Sequence, residues 1–142
     1  MFPSDRFYQT YQGVTLLLRQ RGVISIETQQ ANYGYRCAIT GLATKDFLVA
    51  SHIVPWSKDE TIRLDPSNGI CLSLLVDRAF EKGYLLIEDD YTIRIDWDRV
   101  GNDSALRSRL EPYDGQKLNK PAKGAPKLEY LQRRRASAVP TE

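Results

Sequence analysis

The spacing of apolar residues predicts that the N-terminal part of the chain is helical. Within residues 5–20 they recur at helical intervals, which places them on one face of a helix. The residues on this face are Phe7, Tyr11, Val14, Leu17 and Leu18. Gly22 ends the helix. Residues 23–27 predict an edge strand or an extended linker, and residues 28–33 predict a second, short helix that Gly34 closes.

Two extended segments follow. Residues 36–40 and residues 47–54 are rich in β-branched, aromatic and other apolar side chains, which is typical of strands. The short connection 41–46 predicts that they pair as a hairpin. Pro55 ends the second strand because proline has no N–H to donate to a ladder.

The next stretch predicts a helix followed by a hairpin. The helix begins near Asn68 or Gly69 and ends at Gly83. Its broad apolar face consists of Ile70, Leu72, Leu74, Leu75, Ala79 and Phe80. Residues 84–88 and 91–97 predict two paired strands, because apolar and polar positions alternate well in the second.

The C-terminal part predicts short helices separated by a long loop. Residues 104–110 and 128–135 have helical spacing, whereas residues 111–126 are rich in Gly, Pro and Lys. Residues 136–142 predict a frayed end. The elements together indicate an α+β protein.

Composition places the chain among soluble globular proteins. Its 142 residues suit one domain, and 42% hydrophobic with 27% charged residues is an ordinary balance. We find no apolar run of 18 residues, so no membrane span is expected, and no secretory signal pattern. Cys37 and Cys71 form no C-x-x-C pair, which excludes a four-thiolate zinc site. They predict buried thiols in a reducing, cytoplasmic setting, with a disulfide as the alternative.

Charge is unevenly distributed. The whole chain carries a net charge of only +2, but residues 117–135 hold seven basic residues against one acid. Such a segment suits contacts with the phosphates of a nucleic acid. The alternative is a solvated, partly disordered end. The candidate phosphate contacts are Lys117, Lys120, Lys123, Arg133 and Arg134, together with Arg63 in the polar loop 57–66.

Candidate chemistry lies between residues 48 and 83. His52, the only histidine, is at the end of a predicted strand, and Asn68 lies in a Pro-Ser-Asn-Gly turn. Asp77 and Glu81 are spaced i, i+4 and therefore share a helix face. A neutral histidine suits a general base, and carboxylates are natural ligands of hard divalent ions. The alternative for the two acids is a solvated face that is salt-bridged to neighbouring basic residues.

The order of these residues resembles the HNH endonucleases, also called ββα-metal or His-Me finger nucleases. The sequence carries RCAITGL, ASHIVPW, RLDPSNGICLS and DRAFEKGYLLIEDDYTIRI in that order. The resemblance covers most of the chain after residue 35, and it is nearest to HNH domains of putative restriction endonucleases. It implies a single nuclease domain over residues 1–142 with a ββα-metal core at about 36–97. A helical segment at 4–35 precedes this core, and a basic extension at 111–142 follows the β-hairpin.

The resemblance also implies roles for individual residues. His52 matches the general base that activates water, and Asn68 matches the asparagine that orients the loop. Asp77 matches a metal-ligand position on the helix, and Glu81 matches a position that supplies a second ligand. Ser51 departs from the pattern, because relatives carry Asp, Glu or His there as the strand-side ligand.

The implied activity is metal-dependent hydrolysis of DNA, with Mg²⁺ or Mn²⁺ as the cofactor. Nicking, nonspecific cutting or restriction-type cleavage in phage defence all fit the resemblance. RNA as the substrate is not excluded, and a homodimer or partner proteins of a defence system stay open. The alternative function is a nucleic-acid-binding module that keeps the fold with weakened catalysis, which Ser51 favours.

Overall fold

The computed structural model describes residues 29–55 and 65–137. The predicted helix at 5–20, the extended segment at 23–27 and Arg63 lie outside these residues. In the described part, the 28–33 prediction is confirmed in its core, because residues 29–32 are helical and Gly34 adopts a positive φ of 65°. No helix in the described ranges is both long and apolar enough to cross a membrane.

The central unit is a pair of buried strands followed by a helix. Strand β1 spans Leu48–His52 and pairs antiparallel with β2, Gly69–Ser73, in a register that places His52 opposite Gly69. Helix α1 follows directly at Leu74–Glu81 and packs against both strands. All ten strand residues are buried, so this sheet is covered on both faces.

Two predictions for this region are wrong. The predicted helix start at Asn68 or Gly69 is replaced by β2, and the helix begins only at Leu74. The strand predicted at 36–40 is a turn, so the hairpin across 41–46 does not form. The Cys37 thiol stabilises that turn by accepting the N–H groups of Ile39 and Thr40, at 3.4 and 3.3 Å.

The second sheet is the predicted hairpin. Strand β3 spans Leu85–Ile87 and pairs antiparallel with β4, Ile93–Ile95. The alternation is confirmed, because Ile93 and Ile95 are buried and Arg94 between them is exposed.

Three helices complete the described chain. Helix α2, Trp97–Val100, was not predicted, and the Asp96 carboxylate caps it by accepting the Arg99 N–H at 3.1 Å. Helix α3, Ser104–Leu110, matches its prediction. Helix α4, Leu128–Ser137, runs two residues beyond the predicted end.

One core joins all these elements. Both cysteines are buried free thiols that contribute to it, so the disulfide alternative is not adopted. Leu118, Tyr130 and Leu131 are also buried in it. These three residues pack parts of the basic segment into the fold. Five of its basic residues are nevertheless exposed, as the alternative of a solvated end expects: Lys117, Lys120, Lys123, Lys127 and Arg133.

Candidate active site

His52 is the last residue of β1 and is largely buried, with 8% of its surface exposed. Its ladder partner Gly69 has no room for a side chain, because a Cβ there would lie 1.4 Å from the Gln29 amide nitrogen. The Gln29 side chain therefore packs directly on the backbone opposite His52. Sequence reasoning missed Gln29, and glycine after Asn68 was the only signal for such a close approach.

Asn68 forms hydrogen bonds with the two residues that follow His52. Its side-chain carbonyl accepts the Val54 N–H at 2.8 Å, and its amide donates to the Val54 carbonyl at 3.0 Å. Its main-chain carbonyl accepts the Ile53 N–H at 2.8 Å. The residue lies in a turn before β2 rather than at the start of a helix, and it is 1% exposed. The geometry therefore fixes the path of the chain on the C-terminal side of His52.

Asp77 and Glu81 lie on α1, one turn apart. Asp77 is 2% exposed, which a solvated salt-bridged face does not explain. Glu81 is partly exposed and approaches the Arg78 guanidinium at 3.7 Å. The alternative of a solvated, salt-bridged face therefore describes Glu81 better than it describes Asp77. The two acids thus share a helix but differ in their access to water.

Arg134, on helix α4, contacts the ends of both elements that carry these residues. Its guanidinium donates to the main-chain carbonyls of His52 and Glu81, at 3.3 and 3.4 Å. The group also lies 4.9 Å from the centre of the Phe80 ring. The end of β1 and the end of α1 are therefore within the span of one side chain.

The electrostatics of Arg134 connect it to both acids. Burial lowers the pKa of its guanidinium below the ordinary value, and the carboxylates of Glu81 and Asp77 oppose that shift. Sequence reasoning expected Arg134 at a DNA phosphate, and that contact stays a prediction. The structure places the side chain beside the predicted catalytic and metal residues.

Asp65 supports the same region from the other side. Its carboxylate accepts the Ser67 N–H and hydroxyl, at 3.0 and 2.7 Å, which shapes the turn that carries Asn68. It also accepts the Tyr130 hydroxyl at 2.7 Å and pairs with Lys127 at 3.2 Å, both at the start of α4. The turn at Asn68 and the final helix are thus held together by one carboxylate.

The remaining predicted phosphate contacts differ in their surroundings. Lys117 pairs with Asp90 at 3.1 Å, and the Lys120 ammonium lies 5.2 Å from the centre of the Tyr91 ring. Lys123 and Arg133 are exposed. The structure therefore does not gather these four side chains with Arg134, and their roles stay predictions.

The described residues offer few side-chain donors for a divalent ion. Within residues 29–55 and 65–137, no group of three His, Cys, Asp or Glu side chains could hold a metal. Ser51, at the expected strand-side ligand position, is buried at 3% exposure. Asp77 and Glu81 lie one turn apart on α1, and carboxylate oxygens are the ligand type that a hard divalent ion takes.

A groove of about 470 Å³ lies elsewhere, where Phe47, Leu74 and Leu75 are among its lining residues. Leu74 and Leu75 begin α1, whereas Asp77 and Glu81 lie further along it. The groove is mainly apolar in its lining and does not include His52, Asn68 or either acid. It is therefore separate from the candidate active site.

A comparison with known protein families covers the segment that carries the candidate residues. Residues 37–88 match the family model described as HNH endonuclease. We refer to these matched residues as the HNH segment. It contains His52, Asn68, Asp77 and Glu81, so all four candidate residues lie in the HNH segment.

A solved structure of a modification-dependent TagI restriction endonuclease shares the fold. The TM-score is 0.63 at 16% identity, over 84% of this chain. The chain spans 40% of the length of that endonuclease. No curated protein matches. The family match supports a nuclease, and the structural likeness shows a shared fold.

Proposed function

We propose that this protein is a metal-dependent endonuclease that hydrolyses phosphodiester bonds of DNA. One observation carries the proposal: the Arg134 guanidinium donates to the main-chain carbonyls of His52 and Glu81 and is attracted by the carboxylates of Glu81 and Asp77. All three of its partners lie in the HNH segment. Fold likeness alone would not assign an activity, because one fold hosts many functions.

His52 is the proposed general base. An imidazole nitrogen accepts the proton of the attacking water, which a neutral histidine does well near neutral pH. Asn68 is the proposed positioning residue, because its three hydrogen bonds to residues 53 and 54 fix the chain that follows the base.

Asp77 and Glu81 are the proposed ligands of Mg²⁺ or Mn²⁺. Such an ion would neutralise charge on the scissile phosphate and the leaving oxygen. Because two carboxylates leave most of a hard ion's coordination sphere to other donors, we expect weak binding without DNA and tighter binding with it. These acids also enter the site from one helix only, so their spacing depends on α1 being intact.

The substrate is proposed to be duplex DNA in restriction or phage defence. One site of this kind cuts one strand, so a double-strand break requires a homodimer or two successive nicks. The proposed phosphate contacts are four exposed side chains, those of Lys117, Lys120, Lys123 and Arg133. Binding through them should weaken steeply with salt.

The decisive test is plasmid cleavage with Mg²⁺ or Mn²⁺ by the wild type and by His52→Ala. We expect the variant to be slower by about 10²- to 10⁴-fold, the usual contribution of a general base. Lys82→Ala is the matched control, since Lys82 is exposed just after α1, and it should cut like the wild type. Equal cutting by wild type and His52→Ala would disprove the assignment.

A second candidate function is nucleic-acid binding without cleavage. Ser51 favours it, because a buried hydroxyl replaces the acidic or histidine ligand expected there. Binding of labelled DNA that occurs without any cleavage, and without any effect of Mn²⁺, would support this function. Parallel reactions on single-stranded RNA separate a ribonuclease of the same fold from a DNase.

A further inference from the structure

Helix α4 is docked by contacts that do not involve Arg134. Tyr130 and Leu131 are buried, and the Tyr130 hydroxyl donates to Asp65. Near the other end of the helix, Arg135 donates to the Ile87 carbonyl at 2.7 Å and also pairs with Asp89. These contacts fix the helix at both ends, so the position of Arg134 follows from the fold.

The bonds of Arg134 connect two element ends that carry candidate site residues. The Glu81 carbonyl belongs to the last turn of α1, where main-chain acceptors lack partners within the helix. A cation is favourable at that negative helix end. The other acceptor is the carbonyl of His52 itself. One side chain therefore closes the end of α1 and holds it against the end of β1.

Burying the charge of the Arg134 guanidinium costs free energy, and the groups around it offset that cost. A guanidinium removed from water is unfavourable unless opposite charges and acceptors surround it. Here Phe80 covers one face, two carbonyls accept its N–H groups, and the carboxylates of Asp77 and Glu81 attract it. The positive charge is thus held beside the two acids before any ion binds.

We propose that Arg134 is a positioning residue of the nuclease site that also weakens metal binding. It holds His52 at a fixed place relative to Asp77 and Glu81, and its charge opposes the approach of a divalent cation. This inference rests on the proposed function. It replaces the role of a simple phosphate contact with one that sets the geometry and the metal requirement of the site.

If Arg134 both positions His52 and repels the ion, its removal should raise the affinity for Mn²⁺ and lower kcat. In Arg134→Met the charge and both carbonyl contacts are lost, so Mn²⁺ should bind at least about threefold more tightly while kcat falls at least about tenfold. Arg134→Lys keeps the charge but loses the simultaneous hydrogen bonds to the carbonyls of His52 and Glu81. Its Mn²⁺ affinity should stay within about twofold of the wild type while kcat still falls.

The experiment combines calorimetric titration of Mn²⁺ into each full-length protein with kcat for plasmid cleavage at saturating Mn²⁺ and with thermal unfolding. Arg135→Met is the matched control on the same helix, since it loses contacts only with Ile87 and Asp89. It should lower Tm but leave Mn²⁺ affinity and kcat unchanged.

Several outcomes would overturn the inference. Unchanged or weaker Mn²⁺ binding in Arg134→Met would do so, as would wild-type kcat in that variant. An equal change of Mn²⁺ affinity in Arg135→Met would assign the effect to helix docking instead. If Arg134→Met does not fold, Arg134→Lys decides, because wild-type kcat in it contradicts the positioning role.

The inference and the proposed function fail separately. If the wild type cuts DNA through His52 and the Arg134 variants match it in both measurements, only the inference fails. If no protein cuts DNA, the proposed function fails. The Mn²⁺ titration then still decides the charge effect, and an unchanged affinity in Arg134→Met overturns it.

Discussion

The two hairpins of this protein are held together in different ways. The outer hairpin of β3 and β4 has a short turn, with the Glu88 N–H and the Thr92 carbonyl bonded at 2.9 Å. The inner pair, β1 and β2, is separated by a long connection and is buried on both faces. Its closure depends on side chains, above all Asn68 and Asp65. The candidate catalytic residue lies in the hairpin that needs more support.

The largest effect should come from Asn68→Ala. It leaves the N–H and the carbonyl of Val54 buried without their side-chain partner, at about 1–3 kcal/mol for each group. We expect the free energy of unfolding to fall by roughly 2–5 kcal/mol and cleavage to be lost at temperatures where the variant is still folded. Urea unfolding and plasmid cleavage measure the two effects.

The control for Asn68 is Asp114, whose side chain contacts the outer hairpin. Asp114 accepts the Ile95 N–H at 3.1 Å and the Trp97 indole N–H at 2.9 Å. Asp114→Ala should cost only about 1 kcal/mol, because its partners lie nearer to water, and it should retain cleavage. A larger loss of activity in this variant than in Asn68→Ala would contradict the contrast between the two hairpins.

A smaller effect is expected for Asp65, and it depends on pH. Burial would raise the pKa of this carboxyl, but hydrogen bonds from Ser67, Tyr130 and Lys127 outweigh it and lower the pKa from 3.8 to about 2. A carboxyl with a depressed folded pKa contributes stability above its unfolded pKa, and that contribution is lost as pH falls through the folded value. At pH 7 the free energy of unfolding of the wild type should exceed that of Asp65→Asn by about 2 kcal/mol.

That difference should shrink as pH falls from about 4 to about 2, which chemical unfolding at a series of pH values can follow. A constant difference across this range would show that the carboxylate charge is not what stabilises the turn. Tyr130→Phe removes one donor to Asp65 and should reproduce part of the loss at pH 7.

The smallest effect is expected at the surface of the outer hairpin. The Arg94 guanidinium pairs with Glu88 at 2.6 Å, but 63% of the Arg94 side chain is exposed. Arg94→Ala should therefore change the free energy of unfolding by less than about 1 kcal/mol and leave cleavage as it is. A change of several kcal/mol would mean that the outer hairpin also depends on side-chain support.

The same contrast explains which predictions succeeded. Alternation in 91–97 is visible because β4 has one exposed face, so the outer hairpin was predicted correctly. Strand β2 is buried on both faces and reads as a continuous apolar run, and that run merges with the apolar positions of α1. Periodicity cannot separate a doubly buried strand from a buried helix, and the helix start was therefore misplaced.

The candidate site was predictable only in part. The residue types and their order resemble a family, which pointed to His52, Asn68, Asp77 and Glu81, and the model of that family matches residues 37–88. The position of Arg134 depends on how α4 packs on the core, which no local pattern in the sequence records. Charge pattern alone predicted a surface role for a side chain that the fold directs inward.

The contact between Arg134 and the His52 carbonyl joins residues 82 positions apart. During synthesis, His52 and Asn68 leave the ribosome long before Arg134 does. Residues that precede α4 can pair and collapse early, because domains begin to form from the N-terminal side as the chain emerges. The arrangement around Arg134, in contrast, can form only after the whole stretch from His52 to Arg134 has emerged.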